Sequence, residues 1–159
     1  MRETGSGAVN RAGRPLRVHR PLPFRQGGVA VIWYVAIGSA VGGVARYLLG
    51  GWIQQRAGTF FPVQTLVINV TGSFLLGFLQ RYGLDSSGLS PEVRTMLTIG
   101  FCGGYTTFST YSFETVRLIE SGDSMRALLY TVLSVVLSVA GAVLGMVAAR
   151  ELLALRGRI

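Results

Sequence analysis

The sequence predicts an all-α membrane protein with four transmembrane helices, the third of them broken mid-membrane. Three observations carry this. The chain is 50% hydrophobic and only 14% charged, where soluble domains carry about 25% charged residues. Charge is absent from four separate stretches, 27–45, 57–80, 95–113 and 127–149, of 19, 24, 19 and 23 residues. Each is close to the roughly 20 residues a helix needs to cross about 30 Å of hydrocarbon. Finally, the third stretch contains adjacent glycines and a run of hydroxyls where a lipid-facing helix would be smooth. A small soluble domain exposes much of its area and needs polar surface; four such helices would leave none.

The elements follow in order. Residues 1–26 carry Arg2, Arg11, Arg14, Arg17, Arg20 and Arg25 against Glu3 alone. Gly, Pro and Arg are spread there without aromatic interleaving, so they read as a disordered cytoplasmic tail touching anionic headgroups rather than a nucleic-acid arm. The first span covers about 29–50; it is too long for the h-region of a cleaved signal. Pro62 opens the second span, which runs to about Tyr82. A turn-rich GLDSSGLS at 83–90 leads to Pro91 in the first turn of the third span. SGDS at 121–124 is a tight turn in which Asp123 or Ser124 can cap the fourth span. That span ends near Arg150. The domains are therefore the tail (1–26), a four-helix membrane body (27–150) and a short basic end (151–159).

Four spans put both termini on one side, and the arginines set which. That side collects the tail arginines with Arg81, Arg94, Arg150, Arg156 and Arg158, while the other has Arg56, Arg117 and Arg126. The positive-inside rule then places the termini in the cytoplasm. Without the tail the bias is weak, which leaves room for a partner of opposite orientation. Glycine pairs at helix-packing spacing, Gly38/Gly42 and Gly141/Gly145, with Gly72 and Gly77, suit close backbone approach within the chain or across a dimer seam. Enzyme chemistry has little to build on, because Cys102 is the only cysteine and His19 the only histidine.

The polar features lie inside the spans. At 100–114 the sequence is GFCGGYTTFSTYSFE. Two glycines followed by Thr106, Thr107, Ser109, Thr110 and Ser112 make a poor continuous helix. The simplest alternative is a kink with each hydroxyl bonded one turn back. A true break frees carbonyls and amides at mid-membrane, which must be buried in protein or face an ion or water. Carbonyls of Gly103 and Thr106 can then hold a small cation, and the hydroxyls can face an anion. Arg46, at the end of the first span, keeps its proton and either snorkels to water or pairs with an anion. Asn69 sits mid-span with an amide able to glue helices or donate to a passing anion. Tyr130, Ser134 and Ser138 recur every four residues as one hydroxyl stripe on the fourth span. Phe108 and Tyr111 share a face just after the break, and aromatic rings have positive edges. Glu114 follows one turn later, near the mouth of the same path.

Three separated motifs, GGVARY at 42–47, NVTGSFLLG at 69–77 and the 100–114 run, are similar to the CrcB/Fluc family of fluoride channels. The likeness covers roughly 30–148. It implies small four-span subunits assembled as antiparallel, dual-topology dimers, with anion paths along the subunit interface. It implies a structural Na+ at the centre of that interface, held by backbone oxygens at Gly103 and Thr106. It implies a pore asparagine at Asn69, a vestibule arginine at Arg46 and a pore-facing ring at Phe108, with Tyr130, Ser134 and Ser138 as the polar track. Ser109, Thr107 and Glu114 fall beside them. The implied activity is passive export of cytoplasmic fluoride across a bacterial plasma membrane. Tyr111 departs from the family's usual second phenylalanine and adds a phenol donor. Some members work as pairs of different subunits, so the partner is a second copy or a paralogue of opposite orientation. Two other readings compete. A small dual-topology multidrug exporter needs an embedded carboxylate, and only Glu114 is available; a membrane scaffold leaves the broken helix and Asn69 without a task.

Overall fold

A computed structural model describes residues 28–58, 61–85 and 89–156, with only the backbone of 84 and 85. The basic tail at 1–26 and Arg158 lie outside the described residues. Helices account for nearly all that is described: α1 (Gly28–Ala57), α2 (Val63–Asp85), α3 (Pro91–Thr95), a π-helical segment (Met96–Cys102), α4 (Gly103–Tyr105), α5 (Phe108–Glu120) and α6 (Ser124–Arg156). Three helices, α1, α2 and α6, are long and apolar enough to cross a membrane. The third uncharged stretch, 95–113, is divided among α3, the π-helical segment, α4 and α5.

The local signals explain the ends. Ser90 caps α3 by accepting from the Val93 N–H at 3.3 Å, with proline in the first turn. Beyond α5, Gly122 adopts φ +82°, the left-handed geometry that ends a helix and favours glycine. Asp123 then caps α6, its Oδ1 accepting from the Arg126 N–H at 3.3 Å. Helix α6 continues past Arg150 to Arg156. The segment ARELLALR is made of strong helix formers, and a basic last turn suits the helix dipole. At about 1.5 Å per residue, α1 and α6 outreach the hydrocarbon core, so the uncharged stretches understate both.

Glycine sets the packing. A Cβ on Gly42 would lie against the Phe101 carbonyl and 2.9 Å from the Tyr105 nitrogen. One on Gly145 would meet the Phe74 carbonyl and come within 2.8 Å of the Phe78 nitrogen. Gly38 and Gly141 make similar approaches, so both glycine pairs are seams within the chain. These contacts climb in register. Gly38 meets Gly100 and Gly42 meets Tyr105, while Gly141 meets Val70 and Gly145 meets Phe74. Helix α1 therefore runs parallel to the first half of the third unit, and α2 runs parallel to α6. Gln54, Pro62, Glu120 and Ser121 line one cavity, which puts the ends of α1 and α5 and the start of α2 together. The outward faces are apolar throughout: Trp33 is 66% exposed and Val139 61%. Exposed apolar area on this scale marks a surface that faces lipid or another protein.

The third unit breaks two residues later than its glycines suggest. Gly103 is helical (φ −65°, ψ −38°), whereas Thr106 (φ −82°, ψ 162°) and Thr107 (φ −152°, ψ 114°) are extended. Gly104 serves contact instead: a Cβ there would sit 2.9 Å from Ser39 Cα. The expected one-turn-back hydroxyl bonds exist at Thr106 (to Cys102 O, 3.0 Å) and Ser112 (to Phe108 O, 2.9 Å). Thr107 departs from them and caps α5, accepting from the Thr110 N–H at 3.1 Å.

Candidate functional site

Two extended residues in the middle of a helical bundle leave backbone groups to be satisfied. Thr107 N–H, which a continuous helix would direct to the Gly103 carbonyl, donates instead to Asn69 Oδ1 at 2.8 Å. Asn69 Nδ2 donates back to the Thr107 carbonyl at 3.0 Å. The pair fixes which amide atom is oxygen, because each backbone group of Thr107 has one compatible partner. From α1, Arg46 Nη1 donates to the Thr106 carbonyl at 3.1 Å. The arginine is half-buried and tied to the break, so it does not simply snorkel. Asn69 likewise works first as a clamp on Thr107, with one Nδ2 hydrogen left over. The break is thus held by α1 on one residue and α2 on the next.

Thr107 is a small hub of its own. Buried to 8% exposure, its Oγ1 donates to Thr110 Oγ1 at 2.9 Å and lies 3.2 Å from Ser109 Oγ. Phe108 is 79% exposed at the start of α5. Its ring centroid is 5.4 Å from that of Tyr111, and Tyr111 is 5.3 Å from Tyr130. Tyr130 meets Phe61 edge-on at 5.5 Å. The aromatic face expected after the break is the outer end of a four-ring row.

A cavity of about 310 Å³ lies beside the break, lined by Asn69, Gly72, Ser73, Thr106, Thr107, Phe108, Tyr111, Ser134 and Ser138 together with Leu76, Val135 and Val139. Ser134 Oγ is buried and has no hydrogen-bond partner among the described residues. Asn69, Thr107, Phe108, Tyr111, Ser134 and Ser138 are therefore brought to one space. Tyr130 is not. Its fully buried hydroxyl donates to Glu114 Oε2 at 2.7 Å, so it leaves the serine stripe for a separate cluster. Thr65 Oγ1 (3.0 Å) and Gln64 Nε2 (3.2 Å) donate to Glu114 Oε1 in that cluster. Three donors on one carboxylate make it a well-held charge rather than a free one. Gln64, Thr65 and Ser73 were missed by sequence reasoning. Thr65 and Asn69 stand four apart on α2, a spacing that marks a shared polar face.

Gly103 lies on the other side of the break. It is exposed, a Cβ there would meet nothing, and its carbonyl has lost the Thr107 N–H. No group of three or more histidine, cysteine or carboxylate ligands occurs among the described residues. A cation at this position would be held by carbonyl oxygens.

Comparison with known proteins gives a consistent result. Residues 33–146 match the family model described as CrcB-like protein, Camphor Resistance (CrcB). A fluoride-specific ion channel FluC from Rhizobium meliloti is 47% identical over 121 residues, covering 76% of this chain and 97% of the relative. The FluC of Geobacter sulfurreducens is 46% identical over 124 residues, 78% of this chain and all of the relative. That of Methanopyrus kandleri, an archaeon, is 49% identical over 115 residues, 72% and 86% of the two chains.

Proposed function

The chain belongs to the CrcB-like family, and from that membership we propose that it is a fluoride-specific ion channel. It conducts passively, with no enzymatic step, in a multi-pass membrane setting. The observation that carries the reading is the cavity beside the break. It gathers a buried, unpartnered serine hydroxyl, a second serine, a clamped asparagine and two aromatic side chains without a fixed countercharge on its wall. Fluoride is strongly hydrated, so a path must replace its water with donors and still let it leave. The free Nδ2 hydrogen of Asn69, the Ser134 and Ser138 hydroxyls and the edges of Phe108 and Tyr111 supply weak, multiple contacts of that kind. Ser109 and Thr107 extend the hydroxyl lining. Arg46 adds positive charge near the break through its remaining N–H groups. Tyr130 and Glu114 close the far side.

The third unit makes the fourth crossing in this reading, with both termini on one side. Parallel pairing of α1 with the third unit and of α2 with α6 supports that alternation. Phe108 at 79% exposure and open Gly103 suit burial by a second subunit of opposite orientation, identical or paralogous. The released Gly103 carbonyl fits a structural Na+ whose other ligands come from that subunit, where the ion would hold the pair together. Thr106 fits less well, since its carbonyl already accepts from the Arg46 cation.

The test is fluoride efflux from liposomes reconstituted with this subunit alone and then with a paralogue. Efflux from the subunit alone supports self-pairing; efflux only with the paralogue supports the mixed pair. No efflux from either sinks the channel reading. Asn69→Leu is expected to abolish the flux.

A further inference from the structure

A hydroxyl in an apolar helix can satisfy itself by donating to the carbonyl one turn earlier. Thr71, Thr98, Thr106 and Ser112 do so, at 2.7, 2.8, 3.0 and 2.9 Å. Ser73 on α2 does not. It is half-buried, it lines the cavity beside the break, and its hydroxyl has no hydrogen-bond partner among the described residues. Thr65, Asn69 and Ser73 stand four apart, so they share one face of α2. Tyr130, Ser134 and Ser138 form the facing stripe on α6.

The α2–α6 seam fixes the register of the two stripes. A Cβ on Gly141 would lie 2.9 Å from the Val70 carbonyl oxygen and 3.6 Å from the Phe74 nitrogen. Ser138, just under one turn earlier, is therefore level with Asn69. The next position on the α6 stripe is Ala142, which stands level with Ser73. The α6 stripe ends there, while α2 still offers a hydroxyl. Around Ser73 the cavity wall is Gly72, Leu76 and Val139. Thr106 reaches this level, since a Cβ on Gly72 would meet its methyl, but its hydroxyl donates to the Cys102 carbonyl. Ser73 thus holds the uncommitted hydroxyl at this end of the cavity.

We propose that Ser73 is a further anion-contacting residue, the donor that takes a fluoride ion onward where the serine stripe of α6 stops. The polar track then crosses from α6 to α2 beyond the break. The assignment rests on the channel reading above and extends the path by one site. A desolvated anion leaving Ser138 would otherwise meet Leu76 and Val139 without a donor, which is costly. A rotating hydroxyl can follow the ion with its hydrogen. Being neutral, it also lets the ion leave.

The test is fluoride efflux from liposomes, read together with the melting temperature in detergent. Ser73→Ala is expected to slow efflux roughly tenfold, the scale of one hydrogen bond to an anion. Its melting temperature is expected to stay unchanged, because the hydroxyl has no protein partner to lose. Ser73→Cys keeps a weak donor and is expected to fall between Ser73→Ala and the unmodified chain. It is the deciding variant if Ser73→Ala does not purify as a monodisperse protein. Unchanged efflux in the deciding variant overturns the assignment and leaves the channel reading standing. A loss matched by a fall of several degrees in melting temperature also overturns it, since Ser73 would then be a packing residue. Absence of efflux from the unmodified chain sinks the channel reading and the assignment with it.

Discussion

Asn69 is the residue on which the site turns. Both amide atoms are committed to the backbone of Thr107. Removing the amide strands a buried N–H and a buried C=O, each costing about 1–3 kcal/mol. Asn69→Leu is therefore expected to lower the melting temperature in detergent as well as to stop fluoride efflux. Loss of flux with unchanged melting would assign the amide to the anion alone. Tyr111 permits a cleaner separation. Tyr111→Phe keeps the ring between Phe108 and Tyr130 and removes the hydroxyl. If ring edges carry the anion, efflux in Tyr111→Phe is expected to equal or exceed that of the parent, whereas Tyr111→Ala is expected to lose at least about tenfold. Both residues were legible in the sequence as polar or aromatic groups in uncharged spans. Their partners were not. Which backbone group Asn69 meets depends on where the third helix breaks and on how α2 lies beside it, neither of which local spacing encodes.

At the scale of the element, the break belongs to the threonines. Thr106 and Thr107 are extended, and the double glycine before them is helical, with Gly104 packed against Ser39 and Gly103 open. Composition led to the right helix and to a stretch, Gly103 to Thr107, that holds the break at its threonine end. Low helix propensity and close helix contact both select glycine, so the glycines alone do not locate it. The π-helical segment left no sequence signal at all. Thr107→Ala removes the cap of α5, worth about 1 kcal/mol, along with the hydroxyl shared with Ser109 and Thr110. It is expected to lower the melting temperature by a few degrees, with Thr107→Ser restoring most of it. Gly145→Leu drives a side chain into the Phe74–Phe78 backbone and is expected to cost more than about 3 kcal/mol. Its readout is loss of the monodisperse peak on size exclusion. An unaffected elution profile would remove the α2–α6 seam from the account.

For the whole molecule, the sequence disclosed the class, because hydropathy and charge-free length are set by the bilayer and not by tertiary contacts. It did not disclose how far α1 and α6 extend beyond the uncharged stretches, since helix continuation into water depends on propensity and dipole. The charge map carries over to the fold. Arg81, Arg94, Arg150 and Arg156 sit at one end of the bundle and Arg56, Arg117 and Arg126 at the other. So even a distribution suits a body that inserts in both orientations. The antiparallel pair proposed above would bury Phe108 and present Gly103 to its counterpart. The central claim is selective anion passage beside the clamped break. It is tested most directly by following fluoride and chloride efflux from the same preparation of liposomes, for the unmodified chain and for Asn69→Leu. The account predicts rapid fluoride loss with chloride retained, and retention of both ions in the variant. Equal loss of the two halides, or fluoride loss undiminished in Asn69→Leu, would contradict it.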